Sequence, residues 1–181
     1  MNAKSLLGKK IIDKKARDLA KLAEINVNTK TFTVSNIYGS VGNPLSKKYY
    51  NLPVESILAV GDYIQVSEVL EELGDKKLDK IPDADEGIIK INDLIGKTIL
   101  DSDGNVAGKV SNVEINTETF IIEEILISGS SSAFGKPKDQ ISLTKEDITS
   151  IGDYIIINKV LTPKEDEEEK EEKESVNVNI N

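Results

Sequence analysis

Along most of this chain apolar and polar residues alternate with a period of two, the signature of half-buried strands rather than helices. Val113 and Ile115 alternate with Asn112, Glu114 and Asn116, the polar run 116–119 turns the chain, and an apolar arm follows over residues 120–127. This reads as a hairpin. One irregularity interrupts it: Val110 is out of phase with Val113 and Ile115, and Leu22 is out of phase with Ile25 and Val27 in the same way. A β-bulge at each place accounts for the break, and bulges bend a strand so that a short sheet can curl. The run Asp101-Ser102-Asp103-Gly104-Asn105 suits a tight turn, because Asp-Gly and Gly-Asn tolerate positive φ.

Sliding the sequence against itself by 88 residues lays residues 6–32 onto 94–120. Leu6, Gly8, Lys9, Ile11, Asp13, Lys21, Asn28, Thr29, Thr31 and Phe32 fall on identical residues at 94, 96, 97, 99, 101, 109, 116, 117, 119 and 120. The offset then becomes 91, and Gly61-Asp62-Tyr63-Ile64 lands on Gly152-Asp153-Tyr154-Ile155. The expectation is an all-β chain of two tandem units, each a small six-stranded barrel, over residues 1–69 and 91–161. Residues 70–90 read as a charged linker carrying a short helix over 67–73 with Ser67 as N-cap. A unit of about 70 residues is marginal alone, so packing of the units or dimerisation is expected to contribute.

Composition narrows the chemistry. The 181 residues contain no Cys, His or Trp, which removes thiol and imidazole catalysis and the usual zinc ligands. The formal net charge is -9, and residues 164–174 carry eight acids and three lysines. The tail 162–181 is therefore expected to be disordered. A mildly acidic body with Arg17 as its one arginine is a poor nucleic-acid surface. No apolar run reaches the roughly 18 residues that span a bilayer, and residues 1–10 lack a signal-like apolar stretch, so the expected location is cytoplasmic. Asp101 to Asn105 imitates the start of a calcium loop, but glycine stands fourth rather than sixth and the twelfth position is Asn112. The acid pairs Glu71-Glu72 and Glu123-Glu124 lack a neighbouring nucleophile. No cofactor, metal or catalytic residue is expected.

The sequence Leu-Ile-Gly-Lys-x-Ile-x-Asp, followed by Asp-Gly-Asn-x-x-Gly-Lys-Val and the apolar hairpin (94–110, then 113–127), resembles the PRC-barrel domain. That domain occurs in the cytoplasmic part of the photosynthetic reaction-centre H subunit and in the ribosome maturation factor RimM. The first unit departs from the pattern over residues 13–20, where the Asp-Gly turn is missing. The resemblance implies a non-enzymatic protein-protein interaction adaptor. Stand-alone tandem PRC-barrel proteins resemble those of archaea, including a group tied to FtsZ-based cell division. For that group the implied partners are the membrane anchor SepF and another PRC-barrel protein, as a homo- or hetero-dimer recruited to the division site. The alternative is a ribosome-assembly factor. Two matching loops, 39–51 and 129–140, mix small residues, lysines and aromatics, which makes Lys47, Lys48, Tyr49, Tyr50, Phe134, Lys136 and Lys138 the expected protein-binding residues.

Overall fold

The computed structural model describes residues 1–74, 76–128 and 141–161. In chain order its elements are α1 (Ala3–Leu6), β1 (Lys10–Ile12), β2 (Asp18–Asn28), β3 (Thr33–Val41), β4 (Lys48–Pro53), β5 (Ile57–Val60), β6 (Ile64–Val66), α2 (Leu70–Leu73), β7 (Ile88–Lys90), α3 (Ile91–Leu94), β8 (Thr98–Leu100), β9 (Val106–Ile115), β10 (Ile122–Ser128), β11 (Ile141–Leu143), β12 (Ile148–Ile151) and β13 (Ile155–Ile157). Single 3-10 turns, Val54–Ser56 and Lys145–Asp147, lead into β5 and β12. The tail 162–181 lies outside the described residues.

The strands form two similarly sized sheets. One runs β4-β3-β2-β1-β6-β5 and the other β11-β10-β9-β8-β13-β12, so each strand of the first has a counterpart in the same place in the second. Within each sheet a parallel contact, β1 with β6 or β8 with β13, joins antiparallel hairpins. Barrel-like wrapping is confined to the first sheet. There β2 has two neighbours on one edge, β1 along its first half and β7 along its last three residues, which makes that sheet seven-stranded. The second sheet is open, and its end strands β11 and β12 do not pair with each other among the described residues. The expectation of two six-stranded barrels is corrected accordingly. The counterpart of β7 on the second sheet is a single bridge, Asn2 to Glu114, where β7 pairs over three residues.

Both long strands carry the irregularity read from phase. Register shifts occur between Leu22 and Glu24 on β2, and where Asn112 and Val110 of β9 face Leu126 and Ile127. Each shift inserts one unpaired residue, Ala23 or Ser111, which restores the inward phase of the apolar positions that follow.

The two units exchange their leading segments. Residues 88–90 open the second unit but pair with β2 of the first (Asn26 with Lys90, Val27 with Ile89, Asn28 with Ile88). Their repeat counterparts Met1 and Asn2 pair with β9 of the second: Ile115 donates its N–H to the Met1 carbonyl at 2.8 Å, and the Met1 ammonium donates to the Ile115 carbonyl at 2.6 Å. The helices that follow are held by matching contacts. Glu24 Oε1 accepts the N–H groups of Asn92 and Ile25 at 3.1 and 3.0 Å, and Asn112 Oδ1 accepts those of Lys4 and Val113 at 3.2 and 2.9 Å. Between them Val34 N–H donates to the Phe120 carbonyl and Ile122 N–H to the Phe32 carbonyl, both at 2.8 Å. Positions 32 and 120, and 34 and 122, are 88 apart, so the contact is the same seen from either side: an internal pseudo-two-fold axis.

That axis explains an unusual backbone. Phe32 and Phe120 adopt φ of 58° and 57°, a left-handed conformation that bulky residues avoid. Their carbonyls are the acceptors of the cross-unit bonds, and both rings pack against one continuous apolar core that draws on both sheets. Side chains and hydrogen bonds from two units over-determine the strained torsion.

The short helix of the linker begins later than its sequence suggests. Val69, not Ser67, is the N-cap of α2: Ser67 N–H still donates to the Ser56 carbonyl at 2.8 Å, so the chain has not yet turned into the helix there. Leu78 then forms an antiparallel bridge to Tyr49.

Two outcomes are expected. Ile91 is fully buried in an exchanged segment, so Ile91→Ala should cost about 2–5 kcal/mol. Calorimetry should still show one cooperative transition; two separated transitions would mean that the units fold independently. Ala16 (φ 60°) occupies the turn position that Gly104 (φ 83°) occupies in the second unit. Chemical denaturation should show Gly104→Ala destabilising by about 1 kcal/mol and Ala16→Gly neutral or stabilising, because the steric penalty of the left-handed conformation falls on one and leaves the other.

Candidate functional site

The turn after the first short strand is built alike in both units. Asp13 Oδ1 accepts the N–H groups of Lys15 and Arg17 at 2.9 Å, and Asp101 Oδ1 accepts those of Asp103 and Asn105 at 3.0 and 2.9 Å. The calcium-like run is thus a turn organised by its own aspartate. Among the described residues no group of three or more Asp, Glu, His or Cys side chains could hold a metal ion.

Only the first unit adds an arginine. Arg17 binds the buried Asp13 carboxylate through Nε at 2.9 Å and a terminal nitrogen at 2.6 Å, and reaches Glu71 on α2 with both terminal nitrogens. Burial pushes the Asp13 carboxyl up, but the hydrogen bonds from Arg17, Leu70 and Lys15 outweigh it and hold the group down at about 2. The Arg17 side chain likewise holds Glu71 at about 2, and the two carboxylates raise Arg17. This cluster fastens the linker helix to the first unit, which gives Glu71 of the Glu71-Glu72 pair a structural role.

The linker covers the end of the expected binding loop of the first unit, from Lys48 to Tyr50, and leaves residues 42–47 exposed. Tyr50 is a core residue, 1% exposed, with Lys77 lying over its ring at 5.9 Å and its hydroxyl without a partner in the described structure. It is therefore not a surface anchor: the strand phase that puts Tyr49 outward turns Tyr50 inward. Tyr49 is half-buried and bonds Leu78 through N–H and carbonyl, while Lys48 is ion-paired with Asp79 and lowers that carboxyl. Lys47 remains exposed beside Leu45, which is fully exposed at the loop tip and which residue-type reasoning passed over. Phe134, Lys136 and Lys138 lie outside the described residues.

A second surface has no warning in the alternation pattern. Register places Val106 opposite Leu100, and Leu100 opposite Ile156, on three adjacent strands of the second sheet. Ile99 and Ile155, the intervening residues, are fully buried, so this row lies on the outer face. Val106 is 58% exposed, Ile156 41%, and Tyr154, two residues before Ile156, 54%, while Leu100 on the strand between them is half-buried. The corresponding positions of the first sheet are Asp18, Ile12, Gln65 and Tyr63. Where the first unit closes this face with a Lys10–Asp18 ion pair at 2.8 Å, the second has Thr98 and Val106. An antiparallel face normally turns polar residues to water, and a contiguous exposed apolar row marks an interaction surface.

The repeated Gly-Asp-Tyr-Ile turn borders this row. Backbone bonds hold it, Gly61 N–H to the Tyr63 carbonyl and Gly152 N–H to the Tyr154 carbonyl at 2.9 Å. Lys9 and Lys97 each donate from Nζ to the glycine carbonyl, at 2.7 and 2.8 Å. The tyrosine rings take no part in those bonds and stand half in solvent.

The PRC-barrel domain model matches residues 86–161, so a PRC-barrel domain is present there. Domains of this family are non-catalytic protein-interaction modules, and the exposed apolar row falls inside the match. No curated protein matches the chain. Among the described residues no helix is long and apolar enough to cross a membrane.

The Arg17 cluster sets an acid limit. Asp13 and Glu71 titrate at about 2 in the folded chain, below their ordinary values of 3.8 and 4.5. Their contribution is complete above about pH 5 and is lost as pH falls through 4 towards 2, because the unfolded chain takes up those protons first. Thermal melts across that range should show a steep loss in the parent chain and a shallower one in Asp13→Asn, from a lower starting stability.

Proposed function

We propose that this chain is a non-enzymatic adaptor that binds a protein partner through the outer face of its second sheet. The observation that carries the reading is the apolar row Val106, Leu100 and Ile156 beside Tyr154, within the segment that matches a protein-interaction domain and absent from the otherwise equivalent first unit. Exposed aromatic and aliphatic side chains on a rigid sheet supply desolvation energy at little entropic cost. The exposed loop tip with Leu45 and Lys47, next to Tyr49, forms a second contact region. Phe134, Lys136 and Lys138 belong to the matching loop and complete the proposal.

The assembly we assign is the archaeal division machinery, with SepF or a second PRC-barrel protein as the partner and recruitment to the division site from the cytoplasm. What supports this is the likeness of the tandem sequence pattern to that group. The test is direct binding of purified SepF and FtsZ to the full chain and to a double variant, Val106→Asp with Ile156→Gln. The variant installs the first unit's residues, so the fold should tolerate it. Binding weakened at least tenfold in the variant is the expected result. Equal binding by both chains would remove the outer face as the site. Binding of neither protein would remove the division assignment, and ribosomal co-sedimentation that depends on Lys47 and Lys48 would replace it with ribosome assembly.

A further inference from the structure

We propose that the outer face of the first sheet is a docking site for a short acidic segment of a protein partner. The inference rests on the first unit alone, so it stands or falls separately from the apolar row of the second.

Charge separates the two units where their strands correspond. Residues 9–21 carry six cations and two acids, while their repeat counterparts 97–109 carry two of each. Register gathers part of that charge into one line. Lys10 faces Lys21 across β1 and β2, Lys21 faces Ser40 on β3, and Ser40 faces Tyr49 on β4. On the other side Ile11 pairs in parallel with Ile64, so Tyr63, one residue earlier, flanks Lys10. Ile11, Ile64 and Tyr50, each next in sequence to a member of the line, are buried, so the line itself lies on the outer face. Tyr63 is 50% exposed, Lys10 and Lys21 are exposed, and Ser40 and Tyr49 are half-buried.

Like charges directly opposite each other on neighbouring strands destabilise a sheet. The matching pair in the second unit is Thr98 and Lys109, so the fold does not require two lysines there. Asp18 relieves Lys10 at 2.8 Å, but Lys21 has no acid partner among the described residues. Lys14 and Lys15 stand exposed on the turn that joins β1 to β2, and Lys15 is 3.7 Å from Glu71. The first unit thus concentrates positive charge on one face of a chain whose net charge is -9. A carboxylate bound between Lys10 and Lys21 offsets their repulsion.

The dimensions of the line define the partner further. From Tyr63 to Tyr49 it covers four strand spacings, about 19 Å, the length of about six extended residues. Acids at the middle of such a segment meet Lys10 and Lys21, and its ends meet the two tyrosine rings. The line runs across the strands, so these contacts are made by side chains and not by strand addition. A nucleic-acid strand or an anionic bilayer carries its charge beyond the patch, over the exposed acids Asp62, Glu71 and Asp79 and into the field of an acidic chain. A short acidic stretch presents its charge only where the lysines stand.

Amide chemical shifts of the full chain, titrated with end-blocked hexaglutamate at low salt, test the proposal. The amides of Lys10, Lys21, Ser40 and Tyr63 should shift together, and Lys21→Glu should weaken that binding at least tenfold. Its melting temperature should be unchanged or higher, because the new carboxylate stands opposite Lys10. Lys80→Glu, on the linker, should leave binding within twofold of the parent. Shifts absent from the four amides overturn the proposal, as do shifts that survive Lys21→Glu. Tighter binding of single-stranded oligothymidylate, or of phosphatidylserine vesicles, than of hexaglutamate also overturns it and makes nucleic acid or a membrane the occupant.

Discussion

The structure depends on one reciprocal main-chain contact, in which residues 32–34 of the first unit and 120–122 of the second exchange hydrogen bonds across a pseudo-two-fold axis. A unit of this size has too little interior to offset its chain entropy by itself. The chain resolves this by pooling two half-cores into one and by lending each unit's leading segment to the other. Strain at Phe32 and Phe120 follows from that contact, as do the buried Glu24 and Asn112, whose side-chain oxygens receive the exchanged helices. In effect the chain is a covalent dimer of its two units, and it is their packing on each other, one of the two expectations from their small size, that the structure displays.

Symmetry inside then frees the outside to differ. Once the seam holds both units, the outer face of one sheet can keep its Lys10–Asp18 ion pair while the other replaces those positions with Thr98 and Val106. The linker divides the roles further. It is fastened by Arg17 to Glu71 and bridged at Leu78, so it covers the start of the first unit's edge strand β4. The second unit, which carries the PRC-barrel match, keeps the exposed apolar row.

Much of this was readable from the linear chain because it is local. The period-two alternation, the broken phase at Leu22 and Val110 and the Asp-Gly turn are patterns of short stretches of chain, the 88-residue repeat is visible as identity alone, and the two bulges stand where the phase places them. The absence of His, Cys and Trp is a property of composition alone. The binding loops were legible only as residue types. Strand phase then buried Tyr50, and the linker engaged Lys48 and Tyr49.

What the tertiary structure alone decided is which copy each segment serves. Residues 88–90 and 1–2 look the same in sequence whether they pair with their own unit or with the other, since alternation specifies a strand but not its neighbour. The apolar row on the second sheet is hidden for the same reason. Leu100, Val106 and Ile156 are scattered over 57 positions and meet only through the register of three strands, one of them paired in parallel from the far end of the unit. Sequence determined the elements and their inward faces because those are set by short-range periodicity; pairing across the axis and across the sheet was set by long-range packing, which no local pattern encodes.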